Sequence, residues 1–190
     1  TYMPDRGYVA IDGIDVTRLP EHKRARYLGR IFQDPLMGTA ASMTIEENLG
    51  MADLRGMPRT LRRGVTRSRC EHYRSILETM GLGLEKRLKQ SVSLLSGGQR
   101  QSLPLLRVTL TLPKLLLLDE HTAALDPKTA KRVMDLTQTI ISENQLTAIM
   151  VTHNMEQAIR FGNRLIMLHE GSIQLDISGE EKKEIGRAHV

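Results

Sequence analysis

The feature that most constrains the fold is an apolar run, Leu115 to Leu118, that continues directly into Asp119 and Glu120. Four consecutive leucines bounded by polar residues are typical of a strand buried on both faces of a parallel sheet. Open α/β sheets bind ligands beyond the carboxyl ends of such strands, so the two acids stand where a ligand is expected. One carboxylate could hold Mg²⁺, directly or through water, and its neighbour could orient an attacking water. Taken alone, the same pattern also fits an ordinary solvated strand end.

The residues after this run predict a parallel crossover. Asp126 and Pro127 are suited to the cap and the first turn of a helix, and apolar residues at helical spacing follow as far as Ile141. A second candidate strand, Thr147 to Thr152, ends directly before His153. Strand, helix and strand in this order predict a right-handed crossover within an α/β fold.

The two ends of the chain predict antiparallel hairpins. Asp12-Gly13 lies between two β-favouring runs, and Glu170-Gly171 occupies a similar place near the other end. Pro20 is suited to the first position of a short basic helix that runs through Tyr27. After a further short strand, Gln33 is expected at the strand end, where the chain enters a loop.

Residues 45–95 read as mainly helical. Thr44-Ile45-Glu46-Glu47 matches a capping box that would start one helix. Tyr73 to Met80 predicts a second helix, and Gly81 would stop it. We therefore expect a helical region between the first strands and the leucine-rich strand.

A glycine-containing segment lies shortly before the leucine-rich strand. Leu95-Ser96-Gly97-Gly98-Gln99 places a hydroxyl and two backbone amides without side chains where a helix would begin. Such a helix start can bind an anion, because its first amides lack partners within the helix. An ordinary glycine turn with a helix cap is the alternative interpretation.

Together these motifs resemble the ATP-binding cassette (ABC) family, and in particular a bacterial transporter ATPase. Leu95 to Gln99 looks like the signature motif of that family, and Leu115 to Glu120 looks like its Walker B strand. Gln33 matches the Q-loop glutamine, Ala124-Leu125-Asp126 the D-loop, and His153 the switch histidine. The resemblance implies a P-loop NTPase-like α/β fold with a parallel core sheet, an antiparallel β edge and a helical subdomain in the region named above.

The resemblance also implies a role for each motif. Two cassettes would pair head to tail, as a homodimer, with ATP between the phosphate loop of one subunit and the signature motif of the other. Asp119 and Gln33 would hold Mg²⁺, Glu120 would polarise the attacking water, and His153 would stabilise the γ-phosphate. The nucleotide-binding residues implied in this way are Gln33, Ser96, Gly97, Gly98, Gln99 and Asp126.

The function implied by the resemblance is ATP hydrolysis that energises transport, with import favoured, through a partner permease. ATP and Mg²⁺ are the expected cofactors, and a substrate-binding lipoprotein is a further candidate partner. The expected location is peripheral, at the cytoplasmic face of the bacterial inner membrane, and the lone Cys70 agrees with a reducing compartment. A soluble ABC ATPase that acts on DNA or ribosomes, and an inert fragment, are the alternatives.

Several positions depart from the pattern of the family. None of the 15 glycines precedes a lysine, so a P-loop is missing, and we expect it before Thr1 of an incomplete domain that spans residues 1–184. Residues 185–190 resemble the translation of a sequencing adapter and are expected to be a non-native tail. Pro104 falls inside the helix after the signature, where it predicts a kink or a sequence error. His121 stands where the family usually has proline.

The net charge of +5 has a local source. The stretch from Arg55 to Arg74 holds seven arginines and one glutamate. A solvated helix face is the simpler interpretation, and attraction to an anionic membrane leaflet or an acidic permease loop is the sharper one. With four Tyr, two Phe and no Trp, the chain offers no obvious platform for base stacking, and no nucleic-acid partner is expected.

Overall fold

The computed structural model describes residues 4–55, 57 and 64–188, with side chains as far as residue 185. They divide into two compact units, with the boundary between Met150 and Val151. Each unit is described by itself. Among these residues, no helix has the length and apolar character that crossing a bilayer requires.

The described residues alternate short strands with helices of very different lengths. The strands are β1 (Ala10–Ile11), β2 (Ile14–Asp15), β3 (Leu28–Ile31), β4 (Leu115–Asp119), β5 (Thr147–Val151), β6 (Arg164–His169) and β7 (Ser172–Ser178). The helices are α1 (Glu21–Arg24), α2 (Ile45–Asp53), α3 (Arg67–Thr79), α4 (Gly97–Thr111), α5 (Pro127–Glu143), α6 (Met155–Arg160) and α7 (Gly179–Ala188). Short 3-10 turns occupy Pro35–Gly38 and Val92–Leu94.

The leucine-rich segment forms β4, the middle strand of a sheet with the order β3-β4-β5. β3 and β4 are parallel, and Leu28 pairs with Leu115. Burial along β4 alternates: Leu116 and Leu118 are buried beneath α4 and α5, whereas Leu115 and Leu117 are only half-buried. Among the described residues, the burial predicted for both faces is complete on the face beneath α4 and α5 and partial on the other.

The first hairpin is confirmed. β1 and β2 pair antiparallel, with Ala10 opposite Asp15. Asp12 and Gly13 both have positive φ, 53° and 76°, as a two-residue hairpin turn of this kind requires. The helix predicted from Pro20 through Tyr27 is shorter, because Pro20 is the N-cap and α1 ends at Arg24.

The described part of residues 45–95 contains α2 and α3, and the start of α3 differs from the predicted one. The capping box at the start of α2 is complete: the backbone N–H of Thr44 donates to Glu47 Oε2 at 2.7 Å, and the backbone N–H of Glu47 donates to Thr44 Oγ1 at 3.3 Å. α3 begins at Arg67, six residues before the predicted start, because Thr66 caps it through the N–H of Arg69. A joint core lies beneath α2, α3 and α4, and its buried members include Ile45, Leu49, Tyr73, Leu77, Leu84, Val92, Leu103 and Leu106.

The arginine-rich stretch is only partly described. Arg59, Arg62 and Arg63 lie outside the described residues. Arg69 forms an ion pair with Asp53 at 3.1 Å, and Arg67 forms one with Glu71 at the same distance on the exposed side of α3. The Arg67–Glu71 pair agrees with a solvated helix face, whereas the Arg69–Asp53 pair is half-buried and joins α3 to α2.

The second unit contains α6, the hairpin of β6 and β7, and α7. Asn154 caps α6 by accepting from the N–H of Gln157 at 3.0 Å, and the predicted hairpin extends further than expected, from Arg164 to Ser178. Lys182 on α7 is 4% exposed and donates to the carbonyl oxygens of Phe161 and Gly162. α7 runs into the segment predicted to be a non-native tail, of which residues 189–190 lie outside the described residues; the origin of that tail stays a prediction.

Candidate functional site

The two acids lie at the carboxyl end of the central strand. Asp119 is the last residue of β4, and its side chain is 45% exposed. Glu120 follows with a φ of 42°, and its carbonyl accepts from the N–H of Ala123 at 2.9 Å. A glutamate in this left-handed region costs on the order of 1 kcal/mol, so the tight turn holds the second acid in an unfavourable backbone conformation directly after the first.

The neighbouring strand ends at the same edge of the sheet. Because β3 runs parallel to β4 and Ile31 pairs with Leu118, the residues that follow both strands emerge together. Gln33 is exposed two residues beyond β3. The carbonyl of Phe32 accepts from Gln101 Nε2 at 3.2 Å, and Gln101 is 1% exposed within α4. The structure therefore places Gln33, as the sequence predicts, at the sheet edge that carries Asp119.

The sequence did not predict that Arg30 forms an ion pair with Asp119 at this edge. Arg30 Nη2 on β3 lies 3.1 Å from Asp119 Oδ2. The same guanidinium lies over the ring of Phe32, with 4.5 Å between the guanidinium carbon and the ring centroid. The contact of Arg30 with Phe32 has one signal in the sequence: the two residues are two positions apart, which puts both side chains on one face of an extended chain.

The glycine-containing segment starts α4 through a capping box. The backbone N–H of Gln99 donates to Ser96 Oγ at 3.3 Å, and the N–H of Ser96 donates to Gln99 Oε1 at 3.2 Å. Gln99 Nε2 also donates to the carbonyl of Leu82 at 3.2 Å. Gly97 and Gly98 are the first two helical residues, so their amides face out of the helix start, as the sequence predicts.

The start of α4 lies against the start of α5. Asp126 Oδ1 caps α5 by accepting from the N–H of Thr129 at 3.1 Å, and this bonding with Thr129 lowers the pKa of Asp126. A Cβ added at Gly97 would lie 3.7 Å from Leu125 Cδ2, whereas one added at Gly98 would overlap Thr129 Cγ2. The predicted signature motif and the predicted D-loop thus form one continuous surface.

The two glycines differ in how much space surrounds them, which gives a matched test. We expect Gly98→Ala to lower the free energy of unfolding by roughly 1–3 kcal/mol, because its methyl group would overlap the Thr129 methyl on a neighbouring helix. Urea unfolding of the full chain measures this change. Gly97→Ala, which makes an ordinary contact, is the control and should stay close to wild type.

Adding Thr129→Ser to Gly98→Ala removes the obstructing methyl and keeps the hydroxyl. The double variant should recover most of the lost stability. If Gly98→Ala and Gly97→Ala unfold at the same urea concentration, the close packing of α4 on α5 is contradicted.

The acids at the sheet edge fit a magnesium ion held with its nucleotide. Among the described residues, no group of three or more His, Cys, Asp and Glu side chains gathers into a metal site. Mg²⁺ commonly takes one or two protein carboxylates and completes its shell with waters and nucleotide phosphates. The exposed carboxylate of Asp119, with Gln33 at the same edge, fits that donor set.

His153 lies in the second unit, two residues beyond the end of β5, and is exposed. This agrees with its predicted position at a strand end. Its predicted role toward the γ-phosphate stays a prediction.

His121, which stands where the family usually has proline, is a buried histidine between Glu120 and α5. It is 2% exposed, and Nε2 lies 3.1 Å from Thr137 Oγ1 on α5. Since the Thr137 hydroxyl donates its hydrogen to the carbonyl of Val133 at 2.7 Å, it accepts from His121 Nε2–H. Burial lowers the pKa of the ring to about 4, so the ring is neutral near pH 7.

Pro104 lies inside α4, and the helix continues through it as far as Thr111. The proline is buried, and its Cγ lies 3.5 Å from the point that a Cβ on Gly38 would occupy. The side chain of Arg107, one turn later, donates to the carbonyl of Gly38. The proline therefore packs on the loop that follows Gln33.

Comparison with known proteins points to one family. The ABC transporter family profile matches residues 1–123. A tyrosine transport ATP-binding protein of Clostridioides difficile is 46% identical over 179 residues, which are 94% of this chain and 71% of that protein. A thiamine import ATP-binding protein of Chelativorans sp. is 37% identical, over 91% of this chain and 65% of that protein.

Solved structures give the same fold. The chain aligns with cbiO1 from Clostridium perfringens, part of an ABC transporter complex, with a TM-score of 0.79 at 23% identity, over 99% of this chain and 71% of that one. It also aligns with a dimeric ATP-binding cassette in a post-hydrolysis state bound to ADP and Pi, with a TM-score of 0.74 at 26% identity, over 93% of this chain and 75% of that one.

The relatives named here are ATP-binding subunits of transporters. This supports a transporter ATPase over a soluble cassette that acts on DNA or ribosomes. The α/β architecture, with a parallel β3–β4 pair and antiparallel hairpins, is confirmed as that of an ABC ATPase domain. The chain belongs to the ABC transporter family, whose cassettes bind and hydrolyse ATP.

Proposed function

We propose that the transporter energised by this ATPase imports an amino acid, with tyrosine as the first candidate. The observation that carries the proposal is the 46% identity, over 94% of the chain, to a tyrosine transport ATP-binding protein. Further relatives, at 34–37% identity, are named as thiamine import and methionine import proteins. They support import as the direction of transport.

Hydrolysis in this proposal takes place at the edge formed by β3 and β4. Asp119 and Gln33 hold Mg²⁺, which when bound supplies charge neutralisation on the phosphates. Glu120 accepts a hydrogen bond from the attacking water and polarises it. The support is positional: the tight turn after β4 presents Glu120 directly beside Asp119.

The start of α4 serves the second nucleotide of a dimer in this proposal. Ser96, Gly97, Gly98 and Gln99 contact the phosphates bound by the partner subunit, and Asp126 transmits the state of one site to the other. Two features support this assignment: Ser96 and Gly97 are exposed at the start of a 15-residue helix, and α5 begins beside them. A helix start of this kind favours an anion.

The remaining assignments concern the whole protein. We propose residues 1–184 as part of one cassette domain, with a helical subdomain at about 45–95; the joint core beneath α2, α3 and α4 supports that subdomain. His153 stabilises the γ-phosphate. The assembly is peripheral, at the cytoplasmic face of the inner membrane, beneath a permease and with a substrate-binding lipoprotein.

Uptake of radiolabelled tyrosine by the host bacterium tests the substrate. Deleting the gene should lower uptake several-fold, and the full-length gene should restore it. Methionine and thiamine uptake in the same strains are the controls. Loss of methionine or thiamine uptake with normal tyrosine uptake would reassign the substrate, and unchanged uptake of all three would contradict the proposal.

A further inference from the structure

Arg30 and Asp119 meet across the β3–β4 pair through the geometry of the sheet. Arg30 stands opposite Leu117 in the parallel register. Asp119 lies two residues further along β4, so its side chain is on the same face of the sheet. The resulting distance between Arg30 Nη2 and Asp119 Oδ2 is 3.1 Å. The contact thus joins two strands at the edge where the proposed magnesium carboxylate lies.

Both partners of this ion pair are accessible to water. The Arg30 side chain is 54% exposed and the Asp119 side chain 45%. An ion pair with this exposure is weak, because water and salt screen it. The guanidinium has a second support in the face of Phe32, 4.5 Å away, which can hold it when the carboxylate is occupied by another cation.

The guanidinium and a magnesium ion would compete for the carboxylate of Asp119. Mg²⁺ binds carboxylate oxygens at about 2.0–2.1 Å and demands near-octahedral geometry. A guanidinium nitrogen 3.1 Å from the same oxygen would stand in that shell or against its waters. Two cations at this separation also repel each other.

We propose that Arg30 is a positioning residue that neutralises Asp119 while no metal is bound and that magnesium displaces it when nucleotide enters. The inference rests on the proposed role of Asp119 as the magnesium carboxylate. Release of Asp119 leaves Arg30 on Phe32, next to Gln33. Displacement of Arg30 by magnesium would therefore link occupation of the metal site to the segment that carries Gln33, the second proposed metal ligand.

The magnesium concentration that half-saturates ATP binding tests this exchange. The full-length protein is used in a Glu120→Gln background, so that bound nucleotide persists, with a fluorescent ATP analogue as the probe. Arg30→Met should lower the half-saturating concentration roughly two- to fivefold, because a competitor of the strength of an exposed ion pair is removed. Arg30→Lys keeps a charge without the planar fork and should give an intermediate value.

Arg26→Met is the matched control, because it removes the same charge from an exposed residue that precedes β3. It should leave the half-saturating concentration unchanged. An Arg30→Met value equal to that of the Glu120→Gln parent, or a higher one, would overturn the inference while the magnesium dependence of the parent upholds the metal site. If ATP binding by the parent does not depend on magnesium at all, the proposed metal site fails and the inference fails with it.

A second readout follows Arg30 itself by nitrogen NMR of its Nε–Hε group in the full-length protein. The signal should move on adding magnesium with ATP, and it should move in the same direction in nucleotide-free Asp119→Asn. A signal that responds to Asp119→Asn but not to magnesium would show a purely structural ion pair and would also overturn the inference.

Discussion

Glu120→Gln in the full-length protein is expected to lower the rate of ATP hydrolysis roughly 10²–10⁴-fold, the contribution typical of a general base. Glutamine keeps the size of the side chain and its ability to accept a hydrogen bond, but it lacks the charge that polarises water. ATP binding should persist, because Asp119 still holds the metal. Phosphate release under saturating ATP measures the effect.

Glu170→Gln is the control for this variant. Glu170 also has a positive φ, 48°, and lies in the turn between β6 and β7, so the substitution repeats the change of charge and the backbone conformation at a residue with no proposed role. Hydrolysis should stay at the wild-type rate. Turnover by Glu120→Gln at more than about a tenth of the wild-type rate would remove Glu120 from its proposed role.

Acid is expected to destabilise the chain through His121. The folded chain holds this imidazole neutral, with a pKa of about 4, whereas an unfolded histidine titrates near ~6.5. Between these two pKa values the unfolded state binds more protons than the folded state. The contribution of His121 to the free energy of unfolding is therefore fully present above about pH 6.5 and is lost as the pH falls toward 4. The difference amounts to ~3 kcal/mol, because the side chain is almost fully buried.

Urea unfolding of the full chain without nucleotide or metal, at pH 7 and at pH 4.5, measures this loss. His121→Gln can keep a donor to Thr137 and removes the titration, so its stability should fall less between the two pH values. His22→Gln, which changes an exposed histidine of α1, should behave like wild type. Equal pH dependence in all three proteins would contradict a buried neutral His121.

Helix starts were the most predictable part of this fold. The caps at Thr44, Ser96 and Asp126 each involve a residue three positions later, so a short window of sequence contains the whole interaction. The first hairpin was predictable for the same reason, since two residues determine its turn. α3 was harder, because its first three residues are Arg, Ser and Arg and give no apolar periodicity; only Thr66 marks its start.

Contacts between distant segments were not predictable in this way. Arg30 and Asp119 are 89 positions apart, and their contact depends on the pairing of β3 with β4. His121 lies 16 positions before Thr137, and its burial depends on how α5 packs. The sequence therefore indicated that Asp119 and Glu120 bear the chemistry. The ion pair of Asp119 with Arg30, and the burial of His121 beside Glu120, could be seen only in the folded structure.

The positive φ of Glu120 means that the residue that the proposed hydrolysis needs is not the residue that would make the fold most stable at this position. Glycine adopts this conformation without steric cost but gives the unfolded chain more freedom. A population selected only for a more stable fold would therefore drift toward glycine at position 120, with a net gain below about 1 kcal/mol. Such a variant would lose the proposed base. A thermostability screen that ignores hydrolysis would therefore enrich inactive sequences at this residue, and directed evolution of the protein should hold it fixed.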